Sequence, residues 1–336
     1  MSKNKVNILL TCIGHKPKKF FLQQLKKNSK YDLKIIGTDI NSNIQNRKYV
    51  DFFYKVPSGF NKNFNNKIFK ICLEHKINII LPGADEEVLS LINNKKKFDK
   101  INCFLPFLKK ELLNKISNKI SLCKFMKKLE IPFYKWNVIK NYKNLEKIIS
   151  VYSENSKKCV VKPPLSRGGR DVFILVKENI KKNPSKGARE IHLNYNFFLK
   201  NFKKYKLNFP LLVTDNLHPP VHDVDILSYK GILKKIVIRK RKISSDSDKG
   251  HIIIKNSKIL NYCKSIVKKM NLSYLVDFDI MFDNLNNPRL LEINPRMSGS
   301  IAEAYKGKIY LIDHLIDVIK KKIKKCLISS NTSKNH

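Results

Sequence analysis

Long apolar runs are missing from this 336-residue chain, and no stretch reaches the ~18–20 consecutive apolar residues of a membrane span. The first apolar stretch, residues 6–13, is short and runs into Gly14-His15-Lys16-Pro17. A buried strand is expected there rather than a signal peptide. Paired cysteine motifs are missing as well. Cys12, Cys72, Cys103, Cys123, Cys159, Cys263 and Cys326 are scattered, odd in number and never form C-x-x-C. That argues against a disulfide framework or a zinc knuckle and leads to the expectation of a reducing cytoplasm. Acids are few, with 27 Asp+Glu against 68 Lys+Arg and a formal net charge of +41. Arginine is scarcer still, at eight residues.

Such a surplus makes nucleic acid or acidic lipid the first partner to weigh. Specific recognition of phosphates and bases favours the planar arginine fork, however, and here the base is lysine spread among asparagine and isoleucine. Solvated lysine faces from an AT-rich coding bias are one reading, and a dedicated polyanion surface is the other. The arginines are more informative. Arg167 and Arg170 flank the only Gly-Gly pair, Gly168-Gly169; Arg239 and Arg241 stand together; Arg296 ends Glu292-Ile293-Asn294-Pro295-Arg296. Clustering of a scarce, fork-shaped cation points to anion handling. Hydrophobic residues at 42% suffice for real cores, and the length suits two or three domains.

Strand and helix patterns alternate over the first 105 residues or so. Strands are expected at 6–13, 33–37, 52–56 and 78–81, and helices at 20–27, near 68–75, and from Asp85-Glu86-Glu87, acids at a positive helix end. This is the signature of a small open α/β unit with a parallel sheet. One helix is expected over 109–129, stopped by Ile131-Pro132. Strands follow at 136–139, 158–162 and 172–176, while 177–208 is polar and ambiguous. Antiparallel strands are read at 211–213, 224–228 and 232–239, around the turn Tyr229-Lys230-Gly231. A helix at 257–270 shows the 3–4 apolar spacing. Strands at 275–282 and 289–293 and a helix at 310–324 complete the chain, with a frayed end.

Three segments suggest chemistry. In V-V-K-P-P-L-S-R-G-G-R-D-V a strand delivers Lys162 to its end, and two glycines let backbone N–H groups close on a phosphate. Alone, it also reads as a lysine before a hairpin turn. In V-D-F-D-I-M-F-D…R-L-L-E-I-N-P-R, Asp279 and Glu292 interrupt apolar strands, and period-2 alternation puts Asn294 on the face of Glu292. Three oxygen donors suit Mg²⁺; salt bridges to nearby lysines are the alternative. In R-K-R, Arg239 and Arg241 are read either as clamps on an anionic substrate or as a surface basic run. His15, His218, His222 and His251 have no metal-ligand spacing and are left unassigned.

In this order, the segments resemble the ATP-grasp superfamily over residues 110–325, in the branch similar to one ATP-grasp unit of the carbamoyl-phosphate synthetase large subunit. The first 105 residues, with N-I-L-L-T-C-I-G, I-I-G-T-D and I-I-L-P-G-A-D-E-E, resemble its pre-ATP-grasp α/β domain. The fold implied is an open parallel-sheet domain (1–108), a two-lobed α+β ATP-grasp domain (109–325, small lobe about 119–213) and a tail (326–336). The resemblance implies ATP with one or two Mg²⁺, Mn²⁺ serving as a substitute, and phosphorylation of a small carboxylate before attack by an amine. By position, Lys119 and Lys162 match the nucleotide's basic contacts. Ser166, Arg167, Gly168 and Gly169 match the phosphate cover; Asp279, Glu292 and Asn294 the metal ligands; Arg296 the arginine meeting the transferred phosphoryl group.

There are departures. Thr214-Asp215-Asn216-Leu217 stands where a hinge glutamate is usual, and the ribose acid would fall near Val221, beside His222 and Asp223. Asp215 or Asp223 is the expected substitute, with Leu217 at the adenine. The expectation is a cytoplasmic ATP-grasp carboxylate–amine ligase; a homodimer is compatible with it. Carboxyphosphate or carbamoyl-phosphate chemistry is the alternative within enzymes. A polyanion-binding module on a silent ATP-grasp scaffold is the alternative outside them.

Overall fold

In a computed structural model the chain is described over residues 3–15, 17–165, 171–178 and 190–332, with side chains described as far as 321. The apolar run at the start forms β1 (Asn4–Leu10), whose Ile8, Leu9 and Leu10 are at most 1% exposed. Burial on both faces follows from its central place in a four-stranded parallel sheet, between β2 (Tyr31–Asp39) and β4 (Ile79–Leu81), with β3 (Phe52–Lys55) at the edge. The helices of this unit are α1 (Lys18–Lys26), α2 (Phe64–Glu74), α3 (Asp85–Ile92) and α4 (Lys95–Asp99).

The single helix expected over 109–129 is two: α5 (Lys110–Ile116) and α6 (Lys119–Lys128). Asn118 is extended, and its side-chain oxygen accepts from Ile120 N at 2.9 Å and Ser121 N at 3.1 Å. An asparagine satisfying free N–H groups starts a new helix, and the apolar spacing of the sequence runs through the break undisturbed.

A small lobe follows with β5 (Trp136–Ile139), α7 (Tyr142–Glu154), β6 (Cys159–Lys162), β7 (Phe173–Val176), β8 (Ile191–Asn194), α8 (Tyr195–Lys200) and β9 (Leu211–Asp215). Its sheet runs β5-β9-β6-β7-β8. The strand pattern had passed over α7, which buries only Leu145 and Ile149.

The large lobe is a five-stranded antiparallel sheet, β12-β11-β10-β13-β14. Its strands are β10 (His218–Tyr229), β11 (Ile232–Ile243), β12 (Asp246–Ile254), β13 (Tyr274–Phe282) and β14 (Pro288–Asn294). Lys230 and Gly231 both have positive φ, 48° and 73°, the two-residue hairpin geometry expected at that turn. Between β12 and β13, α9 (Ser257–Lys269) is capped by Asn256 and buries Ile259, Tyr262, Cys263, Ile266 and Val267. Ile259, Ile266 and Val267 each contribute roughly 1.5–3 kcal/mol when fully buried. After α10 (Ala302–Lys306), α11 spans Leu311–Thr332, so helix continues past the expected stop at 324 and through most of the expected tail.

Residues of the first unit and of the large lobe share two apolar cores; Leu9, Phe64 and Ile80 pack in one cluster with Val224, Ile266 and Phe278. The small lobe has its own core, built on Val161, Leu175, Phe198 and Val213. The described cysteines with assigned side chains are all free thiols.

Candidate active site

On the large-lobe sheet, strand alternation sends Val224, Ile238, Phe278 and Ile293 into the core and leaves polar residues on the opposite face. Register then assembles them. Asp223 pairs with Asp279, which pairs with Glu292; Asp225 pairs with Asp277, which pairs with Asn294. From β11, Arg239 pairs with Asp223, and Arg241 pairs with His251 of β12.

Buried charges persist only when matched. Arg239, wholly buried, places Nη2 2.8 Å from Asp225 and 3.8 Å from Asp277, and Nη1 donates to Ser300 Oγ at 2.6 Å. Arg241 donates from Nε to both Asp223 oxygens (3.1 and 2.9 Å) and from Nη2 to Asp279 at 2.8 Å. His251 Nε2 hydrogen-bonds Asp223 from the other side. Burial alone would raise Asp223, but His251 and Arg241 hold its carboxyl below the usual range. Burial pushes Asp279 up to about 7, Arg241 opposing. Asp277 is driven well above the carboxylate range by burial and by neighbouring acids.

Opposite stands the small lobe. Alternation along β6 turns Cys159 and Val161 into its core and Val160 and Lys162 toward a cavity of about 590 Å³. Lys162 Nζ lies 3.4 Å from Tyr134 Oη, and burial, then the Lys119 charge, lowers Lys162 to about 8. Lys119 opens α6 and places Nζ 3.4 Å from Glu292, while its N–H donates to Pro164 O at 2.9 Å. The cavity has apolar walls at Val160, Ile174, Leu217, Met281 and Leu291, and Lys119, Lys162, Asp279 and Glu292 are its charged lining. Its volume suits a nucleotide-sized ligand.

Of the expected residues, Lys119, Lys162, Asp215, Leu217, Arg241, Asp279 and Glu292 line this cavity. Asn294 lies on the same sheet face, buried, donating to Asp277 at 3.3 Å. Arg296 reaches Asn294 Oδ1 at 3.5 Å and has Nε 3.1 Å from Asp85 of α3. Ser166, Arg167, Gly168 and Gly169 lie outside the described residues.

Three expectations need correction. Arg239 is sealed beneath the sheet face as a counter-ion to Asp225 and Asp277, so it does not present its fork to a substrate. Asp223 is 2% exposed and committed to Arg241 and His251, so it does not stand in for a ribose acid. Asp215 borders the cavity at the end of β9, but it pairs with Cys159 and its carboxylate accepts from Tyr152 Oη at 2.7 Å, so it is not free to take the role of the hinge acid. No role was expected for Thr214, its neighbour on the cavity side, nor for Tyr134, Asp225 and Asp277. A signal for the last two was present. D-V-D, R-K-R and D-F-D share one period, and three strands so patterned build one charged face.

For a hard cation the donor set is suitable. Asp279 and Glu292 are direct cross-strand partners facing the cavity, with Asn294 two positions on. Asp223, Asp277 and Asp279 also bring ligand atoms within 4.8 Å of one another. Asp223 is buried and does not reach the cavity, whereas Asp279 and Glu292 line it, which makes them the better pair.

Comparison with protein families matches residues 208–332 to the model described as ATP-grasp in the biosynthetic pathway with Ter operon, and residues 8–105 to the PylC-like N-terminal domain. The chain carries an ATP-grasp domain behind a PylC-like N-terminal domain. Comparison with curated proteins finds no match. Among solved structures, the chain is similar to biotin carboxylase from Campylobacter jejuni in a beta-gamma-ATP complex (TM-score 0.66, 13% identity, covering 93% of this chain and 70% of that one). It is also similar to N5-carboxyaminoimidazole synthetase from Staphylococcus aureus complexed with ADP (0.63, 11%, 91% and 74%). L-amino acid ligase from Bacillus licheniformis is a third (0.61, 15%, 90% and 70%). At these identities the likeness is one of fold. No helix among the described residues is long and apolar enough to cross a membrane.

Proposed function

We propose that this chain is an ATP- and Mg²⁺-dependent ligase that activates a carboxylate as an acyl-phosphate and passes it to an amine or other nucleophile, releasing ADP and phosphate. One observation carries the reading: Lys119, Lys162, Asp279 and Glu292 line a single cavity. The similar solved structures include an L-amino acid ligase and a synthetase complexed with ADP, which supports the same class.

A carboxylate is a poor electrophile, and phosphorylation turns one of its oxygens into part of a leaving group. Lys119 and Lys162 hold the nucleotide's phosphate oxygens and offset charge that spreads over them as the phosphoryl group transfers. Asp279, Glu292 and Asn294 would hold Mg²⁺, which supplies further charge neutralisation at the phosphates when bound. Arg296, oriented by Asp85 and Asn294, meets the transferred group. Apolar walls exclude water that would otherwise hydrolyse the acyl-phosphate. At the base end Thr214, Leu217 and hinge backbone groups take the place of the absent hinge glutamate.

The test is a thermal-shift series with ADP and Mg²⁺, followed by phosphate release over a panel of amino acids and other small acids. Stabilisation that needs both ADP and Mg²⁺, and is lost in Glu292→Gln, supports the ligase. Equal stabilisation by any polyanion without Mg²⁺ replaces it with a polyanion-binding module on a silent scaffold.

A further inference from the structure

Arg241 sits against a candidate metal ligand, and it is firmly anchored there. Nε holds both Asp223 oxygens, Nη1 donates to Ser244 O at 3.2 Å, and Nη2 is directed at Asp279 Oδ2, 2.8 Å away. His251 Nε2, from β12, hydrogen-bonds Asp223 as well. A planar fork held at three points does not swing aside as a lysine would. Glu292 is matched in the same way, with Lys119 Nζ at 3.4 Å. Each candidate acidic ligand therefore already faces a cation belonging to the chain, and the donor set is close to neutral before any metal enters.

We propose that Arg241 is a resident counter-ion that holds Asp279 Oδ2 and keeps the affinity for a free divalent cation low, so that metal is taken up with the nucleotide rather than ahead of it. This rests on the reading of Asp279, Glu292 and Asn294 as metal-holding residues. The physical basis is the sign of the local field. A dication entering the nucleotide-free cavity meets two carboxylates whose charge is offset by Arg241 and Lys119, and it is repelled by both bases. A bound polyphosphate reverses that balance. Its oxygens engage Lys119 and Lys162, Glu292 is released toward the cavity, and several negative charges are added where the cation must sit. Asp223 tempers the arrangement, because it shares Arg241 with Asp279.

Two variants should therefore move metal affinity in opposite directions. Arg241→Gln removes the counter-ion, and Mn²⁺ bound by the full-length protein without nucleotide, read by electron paramagnetic resonance, should tighten roughly tenfold, a change of about 1.4 kcal/mol. Asp223→Asn leaves Arg241 to Asp279 alone and should weaken Mn²⁺ binding. Simple structural damage would weaken it in both. An Arg241→Gln protein binding free Mn²⁺ no more tightly than wild type overturns the proposal. If that variant fails to fold, unchanged or tighter binding by Asp223→Asn does so instead. Wild-type protein that takes up no Mn²⁺ even with ADP overturns the metal-site reading itself. Normal ADP-dependent uptake with unaltered variants overturns only the role given to Arg241.

Discussion

Replacing Arg239 by methionine tests the sheet-face ladder most directly. The guanidinium is 0% exposed and is the cation facing Asp225 at 2.8 Å and Asp277 at 3.8 Å, with two contacts to Ser300. Methionine fills much of the same volume without charge, so the effect isolates electrostatics. Breaking a buried pair from one side costs about 3–5 kcal/mol, because the orphaned charge must be neutralised where water cannot reach it. Asp225, raised by burial and opposed chiefly by Arg239, would take a proton, joining Asp277, which burial and neighbouring acids drive well above the carboxylate range. Set against a usual total of about 5–15 kcal/mol, the loss is large. At about 2–4 °C per kcal/mol for domains of this size, the melting temperature should fall by roughly 6–20 °C. Thermal unfolding followed by circular dichroism measures that fall, and urea unfolding measures the loss of free energy. Adding Asp225→Leu to Arg239→Met should recover part of the loss, since the pair then leaves together. A destabilisation below about 1 kcal/mol, with activity abolished, would refute this reasoning and restore Arg239 to the substrate.

Other expectations concern the small lobe and its entry helix. Lys162, lowered to about 8 when folded against ~10.4 for a free lysine, binds fewer protons folded than unfolded between those values. Stability should accordingly rise with pH across that window, and Lys162→Met should flatten the rise; identical slopes in urea titrations would count against the assignment. ADP affinity, which needs the charged lysine, should decline as pH climbs through about 8 in calorimetric titrations. Asn118→Ala removes the cap of α6 and should lower stability by about 1 kcal/mol, with Asn118→Ser restoring most of it. Trp136, the one tryptophan, packs against the cluster that holds Tyr134 and Leu217 of the cavity lining, so its fluorescence should change on ADP binding and stay still in Lys162→Met.

Much of this architecture was legible in the residues. The parallel sheet could be read because β1 is apolar on both faces, and the β13–β14 hairpin because Asp279 and Glu292 interrupt otherwise apolar strands. What escaped did so for physical reasons. Helix α7 is amphipathic over a stretch rich in lysine and asparagine, with two buried anchors, too few to impose a period. Strand β12 begins in Asp246-Ser247-Asp248-Lys249-Gly250, whose composition favours a loop, and it belongs to the sheet because β11 offers it an edge. For Arg239 and Asp223, residue type was read correctly as charge but direction was not. Which side of a strand a charge occupies depends on the register of its neighbours, and that is settled only when the sheet assembles.

The interlocked aspartates and arginines also constrain how this chain can change over generations. Position 239 answers to 225 and 277 at once, so a lone replacement of Arg239 or Asp225 breaks the close ion pair in the interior. Relatives that lose the arginine should have exchanged its acidic neighbours too, and those three positions should drift as a set while the lysine-rich exterior varies freely.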